Sequence, residues 1–138
     1  MAEKKSKAKF YTGTGRRKTS VASVWLYEKK GEITVNDKLI KDYFSDREAT
    51  LEWVKPFHAV GVSHPQSKFS ATIKVHGGGT TGHVDAVKLA ISRALLQFDP
   101  EFRAILRSSG LLTRDSRAVE RKKPFFRKSR KKPQYSKR

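Results

Sequence analysis

Between Arg121 and Arg138 the sequence sets ten Lys or Arg side chains among eighteen residues, with no carboxylate. Like charges at that density repel. The few apolar groups present, Phe125, Phe126 and Tyr135 with Pro124 and Pro133, bury too little to offset the roughly 1–2 kcal/mol per residue that ordering a backbone costs. The expectation is a tail that is ordered by a polyanion or not at all. Fully extended, it would reach up to about 60 Å. A folded body of this chain's size is only about 30 Å across, so the tail acts at a distance from it.

The remaining charge follows the same division. Of a net +18, the first twenty residues hold seven bases against one acid and residues 114–138 hold twelve against two, so the span between them is nearly neutral. This points to a flexible basic arm at 1–9, a globular RNA-binding domain at 10–113 and an extended basic tail at 114–138. A surface that was merely soluble would intersperse both signs. Segregated cations are the footprint of a nucleic-acid binder, since neutralising phosphates releases condensed counterions. Cysteine is absent, which removes disulfides, thiolate nucleophiles and cysteine zinc sites and fits a reducing compartment. No apolar run approaches eighteen residues and no apolar segment follows the basic start, so neither a membrane span nor a secretory signal is expected.

Phe10 and Tyr11 open the ordered part, and Gly13-Thr14-Gly15-Arg16-Arg17-Lys18 places three cations beside two glycines, a composition suited to close approach of backbone N–H groups and arginine forks to phosphate. Val21 to Tyr27 reads as a strand covered on both sides, paired through a Lys29 to Glu32 turn with Ile33 to Val35 as a hairpin. After an Asn36-Asp37 turn, Leu39, Ile40, Tyr43 and Phe44 have the spacing of one helical turn. Ser45 or Asp46 then caps a short helix that Pro56 stops. Val60 to Lys68 reads as a loop. Phe69, Ala71, Ile73 and Val75 alternate as the inner face of a half-buried strand, which runs through Gly77-Gly78-Gly79-Thr80-Thr81-Gly82 into a helix with Val84, Val87, Ile91, Leu95 and Phe98 on its apolar stripe. Asp99-Pro100-Glu101 starts another helix that turns Phe102, Ile105 and Leu106 inward and ends at Gly110. Leu111 to Thr113 reads as a last strand.

The glycine loop before a helix is the strongest chemical temptation, because free amides at a helix start bind anions. A phosphate-binding P-loop, however, needs Lys and Ser or Thr after its last glycine, and here His83 and Val84 follow Gly82. A dinucleotide site needs an acid about twenty residues on, and Glu101 belongs to the start of its own helix. His58, His64, His76 and His83 never fall at helical i, i+4 spacing, so no metal site is expected. Ser20, Ser23 and Ser109 have no recognisable base, and no catalytic constellation or cofactor site emerges. The chief rival for the tail is an anionic membrane, since Phe125 and Phe126 lie amid lysines. The arginine content and the Gly13 to Lys18 cluster favour RNA.

Taken together, Tyr11 to Ala22, Val35-Asn36, Tyr43-Phe44, Gly77-Gly78-Gly79 with Gly82, Ala86, Ala90, Arg93-Ala94-Leu95, Leu112 to Arg117, Glu120 to Lys123 and Pro133 to Arg138 closely resemble the small-subunit ribosomal protein 9 family in its bacterial-type form. The resemblance covers nearly the whole chain. It departs at His83, where the family usually has glutamine, at Ser23, where arginine is common, and at Phe125-Phe126, where a glycine-containing link is usual. It implies an α/β (α+β) fold with a four-stranded, mostly antiparallel sheet, two helices on one face and a left-handed βαβ crossover like the second domain of ribosomal protein five. Spacing alone would favour a right-handed crossover. It further implies a non-enzymatic structural constituent of the small ribosomal subunit, cytoplasmic on the ribosome. Such a protein binds ribosomal RNA of the head (3′ major domain) and the anticodon stem-loop of P-site transfer RNA and lies beside other head proteins, with no membrane or small-molecule substrate. On this reading the ribosomal RNA contacts are Arg16, Arg17, Lys18, Gly77, Gly78, Gly79, Arg93, Arg114, Arg117, Arg121, Lys122, Lys123, Arg127, Lys128, Arg130, Lys131 and Lys132. Ser136, Lys137 and Arg138 meet the transfer RNA.

Overall fold

A computed structural model describes residues 9–137. Five strands form one mixed sheet: β1 (Phe10–Arg17), β2 (Ser20–Tyr27), β3 (Ile33–Val35), β4 (Lys38–Leu39) and β5 (Ser70–His76), in the order β1-β2-β5-β3-β4. The helices among the described residues are α1 (Ile40–Tyr43), α2 (Arg47–Ala59), α3 (Pro65–Lys68), α4 (Thr80–Phe98) and α5 (Phe102–Ser108). The α+β class agrees with expectation, while the sheet has five strands rather than four and is built differently.

The hairpin expected between β2 and β3 does not form. β2 instead pairs antiparallel with β1, from Phe10↔Tyr27 to Arg17↔Ser20, and β5 lies between β2 and β3. β3 runs parallel to β5 and closes a tight hairpin with β4 through Asn36 and Asp37, both at positive φ, as the expected turn there requires. The Asn36 side chain extends the β5 ladder by exchanging two bonds with the Val75 backbone, each 3.0 Å. β1 was hidden in the sequence because its alternation is carried by glycine. Gly13, Gly15 and Arg17 are buried while Thr12, Thr14 and Arg16 face outward.

α4 lies across β1 and β2, and glycine is what lets it approach. A Cβ on Gly13 would sit 2.7 Å from Ala94 N and closer still to the Ala90 carbonyl; one on Gly15 would sit 2.6 Å from Ala90 N and closer still to the Ala86 carbonyl. Ala86, Ala90 and Ala94, four residues apart, form the matching small-residue stripe, each wholly buried. The stripe's neighbours Val84, Val87, Ile91 and Leu95 enter the core as their periodicity predicts, as do Phe69, Ala71, Ile73 and Val75 of the strand before. An aromatic chain ties the layers together: Tyr11 meets Phe98 edge to face at 5.2 Å, Phe98 meets Phe69 at 5.3 Å, and Phe69 meets Phe57 of α2 at 6.0 Å.

Several local expectations change. β2 is covered on one side only: Ser20, Ala22, Val24 and Leu26 are buried, whereas Val21, Ser23, Trp25 and Tyr27 are half-buried. α2 runs through Pro56 to Ala59, because a proline in the last turn forfeits one backbone bond but leaves those after it, such as Val60 N–H to the Pro56 carbonyl. Part of the expected 60–68 loop is the helical turn α3, started by Pro65. In α5, Leu106 is buried but Ile105 is 45% exposed. Gly110, at φ +71°, ends the helix as expected and returns the Leu111 N–H to the Leu106 carbonyl at 3.0 Å. Leu111 then enters the core with Leu112 packed against it, and Leu111 to Thr113 forms no strand.

Candidate nucleic-acid interface

The three cations of the Arg16-Arg17-Lys18 cluster part company because they end one strand and enter a turn. Arg16 is exposed, and Lys18, with φ 52°, stands exposed at the tip of the β1–β2 hairpin. Arg17 turns inward and is nearly buried. Its Nη1 meets the Asp115 carboxylate at 2.7 Å and donates to the Arg117 carbonyl at 3.3 Å, while Nε, which makes no hydrogen bond, faces the Asp85 carboxylate of α4 at 3.4 Å. Asp115 is in turn gripped by Arg117, whose side chain donates to both of its oxygens and whose backbone N–H caps one of them. Arg117 first, and Arg17 after it, hold the Asp115 carboxyl well below the usual carboxylate range, and Asp115 in return raises Arg117. The root of the tail is therefore fastened to the end of β1 and to α4, beside a groove of about 290 Å³ lined by Arg16, Lys88, Leu89, Thr113 and Arg114.

Nothing in the sequence marked Asp85 as a partner of this anchor. Asp115, two residues before Arg117 in an otherwise basic stretch, was the available signal. A lone acid amid cations is costly to RNA binding unless it is spent on the protein's own arginines.

The glycine loop packs against Ser20. Gly77 and Gly78 take positive φ, the Ser20 hydroxyl donates to the Gly77 carbonyl at 3.1 Å, and side chains at Gly77, Gly78 or Gly82 would collide with Thr19 or Ser20. Gly79, the residue before α4, has nothing within 4 Å of where its side chain would be, so the helix start is open. His83 spans two elements: its Nε2 donates to the Gly77 carbonyl at 2.5 Å, leaving Nδ1 to accept from the Tyr43 hydroxyl at 2.9 Å. Arg93 is exposed on α4 and donates to the Thr14 carbonyl at 2.6 Å.

From Ala118 to Lys137 the chain has neither helix nor strand, yet it is not fully extended. Glu120, one residue ahead of the polycation, gathers it locally. Its carboxylate meets Lys123 and, at 2.9 Å, Arg130, and its carbonyl accepts from the Ser129 hydroxyl at 2.6 Å. Lys123 and Arg130 together lower the Glu120 carboxyl. Between them Phe125 takes φ +65° in a turn closed by Phe126 N–H to the Lys123 carbonyl, and Lys132 lies over the Phe126 ring at 5.9 Å. A single carboxylate thus offsets part of the repulsion that argued for full extension. Arg114, Arg121, Lys122, Arg127, Lys128, Arg130, Lys131, Lys132, Ser136 and Lys137 are exposed, and Lys123 is half-buried. Arg138 lies outside the described residues.

The family model described as ribosomal protein S9/S16 matches residues 15–138.

Proposed function

The chain belongs to the ribosomal protein S9 family, structural and RNA-binding proteins of the small ribosomal subunit rather than a class of enzymes, and from that premise we propose how its parts divide the work. The body, 10–113, binds ribosomal RNA of the head through outward cations at Arg16, Lys18 and Arg93 and through the open helix start after Gly77, Gly78 and Gly79. Arg17 supports the same contact from within by fixing where the tail departs, and Arg114 and Arg117 continue it along the surface. The segment 114–138 follows the RNA away from the body on Arg121, Lys122, Lys123, Arg127, Lys128, Arg130, Lys131 and Lys132. Its tip, Ser136-Lys137-Arg138, meets phosphates of the anticodon stem-loop of P-site transfer RNA, and neighbouring head proteins flank the body.

The observation that supports this reading most directly is the anchor of Arg17, Asp85 and Asp115. It spends two of the few acids near the tail on holding the tail's root and leaves the cations beyond it free of the core, available to a polyanion. Contacts to phosphate read no sequence, so the tip's contribution should be alike for every transfer RNA. Deleting residues 136–138 tests the finest part. Small subunits should assemble normally and bind P-site transfer RNA about tenfold more weakly, as expected for the loss of one or two charge-assisted bonds. Unchanged affinity and decoding fidelity in the truncated particle would reduce the tip to a solvated end.

A further inference from the structure

We infer that the outer face of the sheet, opposite α4, is a second RNA surface, one that stacks unpaired bases rather than gripping phosphates alone. The inference rests on the reading of the chain as an RNA-binding protein and adds a place and a mode of contact to it. Because α4 covers only one side, alternate residues of β1, β2 and β5 are left outward. At one end of that face Phe10, 51% exposed, stands directly across from Tyr27 with ring centroids 6.2 Å apart, and Trp25, half-buried, lies one outward position further along β2. Outward positions on a strand recur about every 7 Å, so three rings share a patch the size of a few nucleobases.

At the other end are Arg16, and on β5 the exposed Lys74 and His76, with threonine and serine hydroxyls between the two ends. Arg16 is six residues from Phe10 along β1, about 20 Å. None of the five strands contains an Asp or Glu. A face that joins aromatic rings, hydroxyls and cations and excludes acids complements a polyanion with planar bases. Every base offers a π-face to such rings, while duplex RNA hides those faces, so the occupant is a short unpaired stretch running along β1 and β2. A protein partner would have to bring acids to the Arg16 end and apolar groups to the Phe10 end; RNA brings both in each nucleotide.

The test uses the full chain and its own fluorescence. It has two tryptophans, of which Trp53 is buried and Trp25 is on the proposed surface. Saturating oligouridylate should quench Trp25 emission. Inorganic polyphosphate, which supplies the charge without bases, should bind without that quench. Trp25→Phe should remove the quench, and Phe10→Ala with Trp25→Ala should weaken oligouridylate about tenfold while leaving polyphosphate affinity unchanged. Oligouridylate binding with Trp25 emission unaltered would overturn the proposal and leave the tail as the RNA contact, the face then belonging to protein or solvent. Failure of both probes to bind at low salt would overturn it together with the RNA-binding reading on which it stands.

Discussion

Adding one methyl group at Gly15 would set a carbon 2.6 Å from a backbone nitrogen of α4, so either the helix or the strand must move. We expect Gly15→Ala to destabilise the protein by about 1–3 kcal/mol, read as a lower urea midpoint, while Gly79→Ala, with open space around it, changes stability by less than about 1 kcal/mol. The contrast exposes what the sequence hid: glycines beside Arg16 to Lys18 have the composition of a phosphate cradle, yet Gly13 and Gly15 serve helix packing, and only the α4 alanines, more than seventy residues on, give the reason. Asp115 carries a second residue-scale prediction. Its carboxyl is depressed in the folded protein, by Arg117 first. The stabilisation it supplies is thus complete above the ordinary aspartate pKa of about 3.9 and declines as pH falls below that value. Protection of the Arg117 amide from hydrogen exchange should therefore exceed that of Asp115→Asn at pH 6, and the difference should shrink steadily below about pH 4. A difference independent of pH would show that the carboxylate is not the anchor.

The elements that were legible are those whose pairing or packing is announced by their own residues. β5 shows a clean alternation and α4 a long apolar stripe, and both lie where the pattern places them. The neighbour of β2 was not legible, because a chain with a turn after Tyr27 suggests a local hairpin, while the strand that completes the sheet beside it, β5, arrives from residues 70–76. The β1–β2 hairpin yields an element-scale prediction. Lys18 adopts φ 52°, a conformation that costs a side-chain-bearing residue about 1–2 kcal/mol, of which glycine's extra unfolded-state entropy returns roughly 0.5–1. Lys18→Gly should therefore stabilise the fold by about 0.5 kcal/mol in urea melts. If Lys18 meets a phosphate as proposed, the same variant should also flatten the salt dependence of RNA binding by close to one counterion.

At the scale of the whole molecule, the apolar core and most of the net positive charge occupy different parts of the chain. Among the described residues, no apolar side chain beyond Leu112 belongs to the core or packs against it. Removing residues 121–138 should leave the melting temperature within a few degrees of wild type. About five phosphate contacts of single-stranded character would give log K against log salt a slope of roughly −3.5 in the intact protein, and the truncation should remove most of it. A melting temperature lowered by many degrees would mean that the loop around Glu120 leans on the body. The charge segregation was readable from the sequence alone, whereas the fastening of the tail by Arg17 was not, since it joins residues a hundred positions apart. That fastening has a mechanical side. Residues 118–137 add no strand to the sheet, so tension applied at the tip would unspool the Glu120 loop first. The load would then come to rest on an ionic rivet that grips β1 and α4 together, sparing the ladder of backbone bonds behind it. The tail is in this sense a tether with its own slack and a defined stop.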